Sequence, residues 1–576
     1  MAKEKIIELR NQARKLSASQ SDQINFARSF IGDILVSMYD PMQQSPIAII
    51  GHPLGDEIRN ELLTLDLDMA SYLLGSIYTV MLPKEYRSKY GVFYTPPSLT
   101  ERLLDMAEQA GTDWKKDQII DPACGGGAFL APIVKRMVKS LHGLDPNDII
   151  CHIKMHLYGL EIDPFSAWMT EVFVEASLKA ELGETHSVDV SGMVRVCNSL
   201  QDSEDLYNQF DLVIGNPPYG KLKLEKEERK KWARSLFGHA NLYGLFTDLA
   251  LRLTNDRGAI AYVTPTSFLG GQYFKALRSL LLTEAAPVEI DFISKRDGVF
   301  ADALQETLLA VYGRNNVAEE TLVSFLDVQE NGIGSIVNGG KHYLPKKSDE
   351  PWYLPRNSTQ VETVSVLKTT QHKLADLGYE ISTGPLVWNR HKDELFPKRK
   401  KGSVPVVWAE CIDSAGSGGF AFKTTGKNHL PWYLSTKSND PNVIAQECVL
   451  VQRTSSIEQY RRLVAAALPQ AFIDENGGKV SVENHVNMIR PIKGLSPKIS
   501  PKTLSAFLNT QIADQVFRCI NGSTAVSAYE LENMPLPAPS RFKAFDELVN
   551  NTTLTRDEIE ALAKDMYINV CTSTAA

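Results

Sequence analysis

Apolar positions in the first 85 residues recur three and four apart. Ile6, Ile7 and Leu9, and then Phe26, Phe30, Ile31, Ile34 and Leu35, have the spacing of amphipathic helices. Asp66 and Asp68 stand ahead of a denser apolar run, Met69 to Met81, which predicts a more buried helix. From Tyr90 the pattern changes. Runs of strand length (Ile119–Ile120, Leu157–Leu160, Val194–Val196, Leu212–Ile214, Ala259–Thr264, Val288–Ile293 and Thr307–Tyr312) alternate with helical stretches at Ser98–Ala110, Ile133 to Met137, Asn241 to Asp256 and Gly271–Leu282. That alternation predicts an α/β fold with a wound, mostly parallel sheet. Beyond about residue 326 the chain loosens into loops and short strands with many prolines, and Phe545–Tyr567 predicts a closing helix. Three domains are expected: a helical N-terminal extension over 1–85, an α/β domain over 86–325 and a mixed α/β domain over 326–576.

Composition narrows the class without choosing a function. Hydrophobic residues at 43% and charged residues at 23% are ordinary globular values. A net charge of -8 argues against a polybasic protein. It leaves room for a nucleic-acid binder, since a basic cleft can sit on an acidic body. The seven cysteines are scattered with no CxxC pair, a reduced, cytosolic pattern without a zinc ribbon, and no metal site is expected. The chain starts in a charged helix and has no apolar run near the roughly 18–20 residues of a membrane span. A cytoplasmic protein without a membrane partner is expected.

The candidate chemistry lies in loops at strand ends. Asp211 to Ile214 reads as a strand that stops at Asn216-Pro217-Pro218-Tyr219. Neither proline has an N–H, and each pushes the preceding residue into an extended shape. The stiff loop presents Asn216 Oδ1, the Pro217 carbonyl and the Tyr219 ring at the carboxyl edge of a strand, where ligands bind in open α/β sheets. Two acceptors and an aromatic face suit a planar ring carrying an exocyclic amino group. Upstream, Ile119-Ile120-Asp121 runs into Pro122-Ala123-Cys124-Gly125-Gly126-Gly127 and a helix. This turn can pass close to a ligand, and it also serves as an ordinary strand–helix turn. The second strand ends at Glu161-Ile162-Asp163-Pro164, and its acid suits a grip on ribose hydroxyls. Its distance from the glycines is nearly twice that of a dinucleotide fingerprint, and GxxxxGK[ST] is absent, so nicotinamide and NTPase chemistry are disfavoured. Asn198 closes a third strand and could hold an adenine edge. Thr95, in Tyr94-Thr95-Pro96-Pro97, could cap the helix that follows.

As a set, Tyr94-Thr95-Pro96-Pro97, Asp121-Pro122-Ala123-Cys124-Gly125, Glu161-Ile162-Asp163-Pro164, Asn216-Pro217-Pro218-Tyr219 and Asn241-Leu242-Tyr243-Gly244 resemble the gamma-class (TaqI-like) DNA adenine-N6 methyltransferases of restriction–modification systems. The match covers roughly Tyr90 to Arg314. The resemblance implies an S-adenosylmethionine pocket lined by Thr95, Asp121, Ala123, Cys124, Gly125, Glu161, Ile162, Asn198, Pro218 and Phe246. Glu161 would hold the ribose and Phe246 would pack on the cofactor's adenine. It implies a target site of Asn216, Pro217, Tyr219 and Phe300, with Tyr219 stacked on a flipped-out base and Phe300 packed edgewise against it. The family often has Asp where this chain has Asn198. Asn-Pro-Pro-Tyr also occurs in protein glutamine-N5 and some RNA guanine-N2 methyltransferases, and these stay open as alternatives together with cytosine N4, whose enzymes usually carry Ser-Pro-Pro.

The implied partners are double-stranded DNA and a separate restriction endonuclease acting on the same site. A fused nuclease has little support, because Glu228-x-Lys230 lacks strand context. In the C-terminal half, Lys398-Arg399-Lys400-Lys401, Gln452-Arg453-Thr454-Ser455-Ser456 and Tyr460-Arg461-Arg462 are of the types that contact phosphates and base edges. With Asn521-Gly522-Ser523-Thr524, which resembles the closing part of specificity domains, they mark residues 326–576 as an expected target-recognition domain.

Overall fold

The computed structural model describes residues 2–90, 94–183, 188–293, 306–316, 319–329, 332–347, 349–367, 372–412, 419–424, 429–435, 439–454, 461–521 and 525–568. The chain divides into two compact units, Met1–Phe268 with Tyr273–Lys341 and Leu269–Gln272 with His342–Ala576. No described helix is long and apolar enough to cross a membrane.

The first unit opens with helices Ala2–Ala18, Gln23–Tyr39, Pro53–Leu62, Leu67–Met81 and Lys84–Tyr90. Asp22 and Asp66 start two of them by accepting from the backbone N–H of Asn25 and Met69, at 3.1 and 2.8 Å. Leu9, Phe30, Ile31, Ile34, Leu35, Leu74 and Ile77 form one core with Phe165, Trp168, Met169 and Val172 of helix Pro164–Leu182. Ile7 is 47% exposed, because Ile6 and Leu9, three apart, already fill the inward stripe.

Eleven strands follow: β1 (Ile119–Asp121), β2 (Leu157–Glu161), β3 (Val194–Val196), β4 (Phe210–Gly215), β5 (Lys221–Leu222), β6 (Ala240–Asn241), β7 (Thr254–Pro265), β8 (Pro287–Ile293), β9 (Thr307–Gly313), β10 (Glu320–Gln329) and β11 (Gly332–Tyr343). Nine make one sheet in the order β11-β10-β8-β9-β7-β4-β1-β2-β3, while β5 and β6 pair separately. β3, β2, β1, β4 and β7 run parallel, and β9 lies antiparallel between β7 and β8. The expected wound, mostly parallel sheet is present. Leu212, Val213 and Ile214 of β4 are fully buried at the sheet centre. Burial of this kind stabilises by about 1.5–3 kcal/mol per side chain. The expected domain limit at 325 falls inside β10. Helix Pro97–Gln109 is tied to β8 by buried Arg102, whose guanidinium bonds Asp291 at 2.6 Å and Glu289 at 2.7 Å.

The second unit carries β12 (Tyr379–Thr383), β13 (Leu395–Phe396), β14 (Val404–Val407), β15 (Trp432–Tyr433), β16 (Val443–Ile444), β17 (Cys448–Gln452), β18 (Ala465–Leu468), β19 (Val480–Val482) and β20 (Val486–Pro491). They form a four-stranded sheet, β12-β20-β17-β18, and a five-stranded one, β13-β15-β14-β19-β16. Val407, Val480 and Val482 of the latter share a core with Leu450, Ala466 and Met488 of the former. The single closing helix expected over Phe545–Tyr567 is two, Pro539–Asn551 and Arg556–Ile568. The break comes at Thr552, whose extended backbone ends the first helix and whose hydroxyl bonds back to the Leu548 carbonyl at 2.7 Å.

Candidate functional site

Strand order reverses at β1: β2 and β3 lie to one side, β4 and β7 to the other. Chain segments leaving β1 and β4 therefore diverge, and a crevice opens at their carboxyl ends. Asp121 closes β1 and Pro122 to Gly125 follow it, Glu161 closes β2 with Ile162 next, Asn198 follows β3, and Asn216 to Tyr219 follow β4. Parallel pairing puts these four loops on one sheet edge. Loops dispersed over about a hundred residues of sequence thus converge.

The loops are stitched to one another. Cys124 donates its N–H to the Leu160 carbonyl at 3.0 Å, and Cys197 donates to that of Glu161 at 2.9 Å. Ser199 Oγ bonds the Pro122 carbonyl at 2.6 Å, and Thr170 Oγ1 bonds that of Gly125 at 2.7 Å. The buried Asp121 carboxyl lies so close to the end of β4 that a Cβ on Gly215 would meet its Oδ1 at 2.6 Å, so a larger residue there would displace that side chain. Asp121 Oδ1 accepts the Ala123 N–H at 3.0 Å. Burial nonetheless pushes its carboxyl up to about 8, against that hydrogen bond, so it holds a proton at neutral pH.

Glu161 Oε1 accepts the Asp163 N–H at 2.9 Å and Oε2 the Gly125 N–H at 3.0 Å. Burial pushes this carboxyl up to about 7, while those backbone donors pull it down. Beside it, Ile162 is 48% exposed, an apolar surface open at the crevice. Asn198 starts the short helix Ser199–Asp202, its Oδ1 accepting the Leu200 N–H at 3.2 Å. A carbonyl oxygen has two lone pairs, so one acceptor position remains. Phe246, on helix Leu242–Leu253, is 7% exposed.

At the end of β4, Asn216 is held from both sides of its amide. Nδ2 donates to Thr95 Oγ1 at 3.1 Å, and Oδ1 accepts the Tyr219 hydroxyl at 2.7 Å. Tyr219 also reaches the Val263 carbonyl at 3.3 Å, and its ring stands edge-on to Tyr243, 6.0 Å away. Burial pushes the Tyr219 hydroxyl up, so it stays a protonated donor. Among the described residues, no hydrogen bond ends on the Pro217 carbonyl. Pro217 is buried and Pro218 half-buried. Thr95 does not cap the next helix as expected: the capping position falls one residue later, on Pro96, and no side chain caps the helix. Phe300 lies outside the described residues.

Two features escaped the sequence. Arg28 Nη2 bonds Asp163 Oδ1 at 2.7 Å and the Tyr78 hydroxyl bonds Asp163 Oδ2 at 3.3 Å. The N-terminal helices thus brace the turn that carries Glu161, across 135 and 85 residues of chain. No local pattern announces such a contact, although Asp163 itself stood in the acidic motif. In the second unit, several expected nucleic-acid contacts turn inward. Arg461 and Arg462 are 7% and 1% exposed, and Arg462 bonds Asn521 Oδ1 at 2.6 Å. Gln452 Nε2 bonds the Ala409 carbonyl at 3.0 Å, and Arg453 bonds that of Asn484 at 3.1 Å. Gln452 and Arg453 thus serve backbone carbonyls, and Arg462 a buried side-chain amide. Ser455, Ser456, Tyr460 and Gly522 to Thr524 lie outside the described residues.

Residues 155–300 match the family described as Eco57I restriction-modification methylase. The chain is 25% identical over 500 residues to the type II methyltransferase M.BsuBI of Bacillus subtilis, covering 84% of this chain and 95% of that protein. It is 23% identical over 464 residues to the type II methyltransferase M.PstI of Providencia stuartii, covering 79% and 88%. Its fold resembles that of the type IIL restriction-modification enzyme MmeI, with a TM-score of 0.54 at 14% identity, over 93% of this chain and 87% of that one. The expected resemblance to restriction–modification methyltransferases is borne out at the level of those systems.

Proposed function

We propose that this protein transfers a methyl group from S-adenosylmethionine to N6 of an adenine turned out of duplex DNA, as the modification enzyme of a restriction–modification system. The reading rests chiefly on Asn216, whose amide is oriented at the carboxyl end of β4 with the Pro217 carbonyl beside it. Its similarity to type II methyltransferases over most of its length supports the reaction class.

The crevice suits a nucleoside. Glu161 offers a carboxylate for two ribose hydroxyls, and Ile162 offers apolar surface for the attached ring. Asn198 keeps one acceptor position for an exocyclic amine. Asp121, Ala123, Cys124, Gly125, Pro218 and Phe246 complete the walls. S-adenosylmethionine, when bound there, supplies an electrophilic methyl group.

The protein's own task is to prepare the amine. The lone pair of an adenine amino nitrogen is delocalised into its ring. Asn216 Oδ1 and the Pro217 carbonyl each accept one N–H, which draws the nitrogen toward a pyramidal shape and returns electron density to it. Asn216 Oδ1 is reached by exchanging the Tyr219 hydroxyl for the incoming amine, and Thr95 keeps the oxygen pointed outward throughout. No strong base is required; alignment and fixed dipoles provide the acceleration. A paired base cannot reach this rim, so the base must leave the helix, with the Tyr219 ring, and Phe300 by resemblance, replacing its lost stacking. Residues 326–576 would supply target recognition, and a separate endonuclease would act on the same site. Such an enzyme works in the cytoplasm, where the DNA is.

Expression in a host lacking DNA methylation, followed by sequencing for modified bases, tests the proposal. N6-methyladenine at one recurring sequence, lost with Asn216→Ala, is the expected result. N4-methylcytosine would move the target to another amine. Transfer of labelled methyl to RNA or protein, and not to duplex DNA, would overturn the reading.

A further inference from the structure

In the five-stranded sheet of the second unit, β14 and β19 run parallel, with Val406 opposite Ser481 and Val407 opposite Val482. Extending that register places Val404 opposite Lys479, so the segments entering the two strands meet at one end of the sheet, about 4.8 Å apart. One is the turn Arg399–Ser403 between β13 and β14. The other is Asn476–Lys479, between helix Gln470–Glu475 and β19. Together they line an open groove of about 540 Å³.

Its lining includes Arg399, Lys400, Lys401 and Lys479, with the polar side chains of Ser403 and Asn476, and no carboxylate. Four cations converge on a chain whose net charge is -8. All four are exposed, unlike the inward-facing Arg461 and Arg462. Two are positioned by aromatic faces: the Arg399 guanidinium lies 5.1 Å from the Trp432 ring centre, and Lys400 Nζ lies 3.1 Å from that of Phe396. Gly402 and Gly477, each at φ +82°, make the sharp turns that bring the segments together. Asp474 and Glu475, the neighbouring acids, stay on the preceding helix and outside the groove.

We infer that this groove holds the sugar–phosphate backbone of duplex DNA, the Arg399–Lys401 turn and Lys479 together gripping consecutive phosphates. Exposed cations along an open groove match a sequence-independent contact that sets register and orientation. Lys479 carries the new content, since nothing in its own stretch of sequence suggests nucleic acid. The inference rests on the DNA-methyltransferase reading above, and the experiment separates the two.

The test uses the full-length chain and a duplex of about 30 base pairs of arbitrary sequence. Binding is measured from low to moderate salt for wild type and for the Lys400→Ala/Lys401→Ala/Lys479→Ala variant. Each lost phosphate contact lowers the slope of log affinity against log salt by about 0.9. The triple variant should therefore lose a slope of about 2 to 3 and bind at least about tenfold more weakly, while S-adenosylmethionine affinity is unchanged. In wild type, duplex should shield Lys400, Lys401 and Lys479 from acetylation, a readout independent of any variant's folding. Wild type that binds this duplex and methylates host genomic DNA, with an unchanged slope in the variant and unshielded lysines, overturns the groove alone. Wild type that binds no duplex overturns the groove and the functional reading together.

Discussion

The crevice of the first unit and the basic groove of the second use polar side chains in opposite ways. In the crevice Asn216 is gripped from both ends of its amide, Glu161 takes two backbone donors and Asp121 one. In the groove four cations stand exposed, two steadied by aromatic rings. A group that must aim at a single atom is held before its partner arrives, because reorientation at the moment of reaction costs rate. A group that attracts a phosphate needs only to be near and unneutralised. The second unit repeats the contrast internally: Arg461 and Arg462 are also basic neighbours, yet they are buried, Arg461 donating to the Asn509 carbonyl and Arg462 to Asn521 Oδ1.

Breaking the held side of this contrast should have the largest effect. Asn216→Ala should lower kcat by about 100- to 1000-fold or more, the scale of losing one oriented group in a polar site. Affinity for S-adenosylmethionine, measured by calorimetry, should stay within a few-fold; wild-type turnover would contradict the assignment. Next comes Glu161→Gln, which replaces a charged acceptor and should weaken cofactor binding by about 10- to 100-fold. Wild-type affinity should itself fall as pH drops through about 7, where Glu161 takes up its proton, and the variant should flatten that dependence.

Thr95 sharpens the comparison, because it can act through the cofactor or through Asn216. Thr95→Val keeps the shape and removes the hydroxyl, and should lower kcat by about five- to tenfold, the worth of about 1 kcal/mol. The KM for S-adenosylmethionine should change less, and Thr95→Ser should restore kcat. A change in KM alone would make Thr95 a cofactor contact only. The last effect is read on stability and not on turnover. Asp121 has an ordinary pKa near 3.9 in the unfolded chain and about 8 in the folded one. Below about pH 4 both states hold the proton; from there to about 8 only the folded state does, so stability declines as pH rises. Asp121→Asn keeps the acceptor for Ala123 and should raise Tm relative to wild type at pH 8.5, by a margin that vanishes toward pH 4. A constant difference across that range would show that the carboxyl is not the cause.

Much of the catalytic fold was legible because its signals are local. The Leu212–Ile214 run, the proline stop after Asn216 and the acid at Glu161 each announce themselves within a few residues. Expected strands such as Val288–Ile293 and Thr307–Tyr312 sit almost where they were placed. Helix Leu242–Leu253 ends earlier than expected, because Thr254 to Asp256 already belong to β7. In the second unit, charge alone did not separate exposed lysines from buried arginines, since both occur in similar polar stretches.

The amino-acid sequence by itself determined the order of strands and helices, the rigid Asn-Pro-Pro-Tyr rim and the chemical types at each strand end, all consequences of backbone stereochemistry and apolar spacing. Only the tertiary structure decided that Thr95 orients Asn216, that Arg28 and Tyr78 brace Asp163, and that Lys479 joins Arg399–Lys401. Each of these depends on which strands lie side by side and on which way a long side chain turns. Those outcomes follow from packing the whole chain, where residues far apart in sequence compete for the same space and the same hydrogen-bond partners.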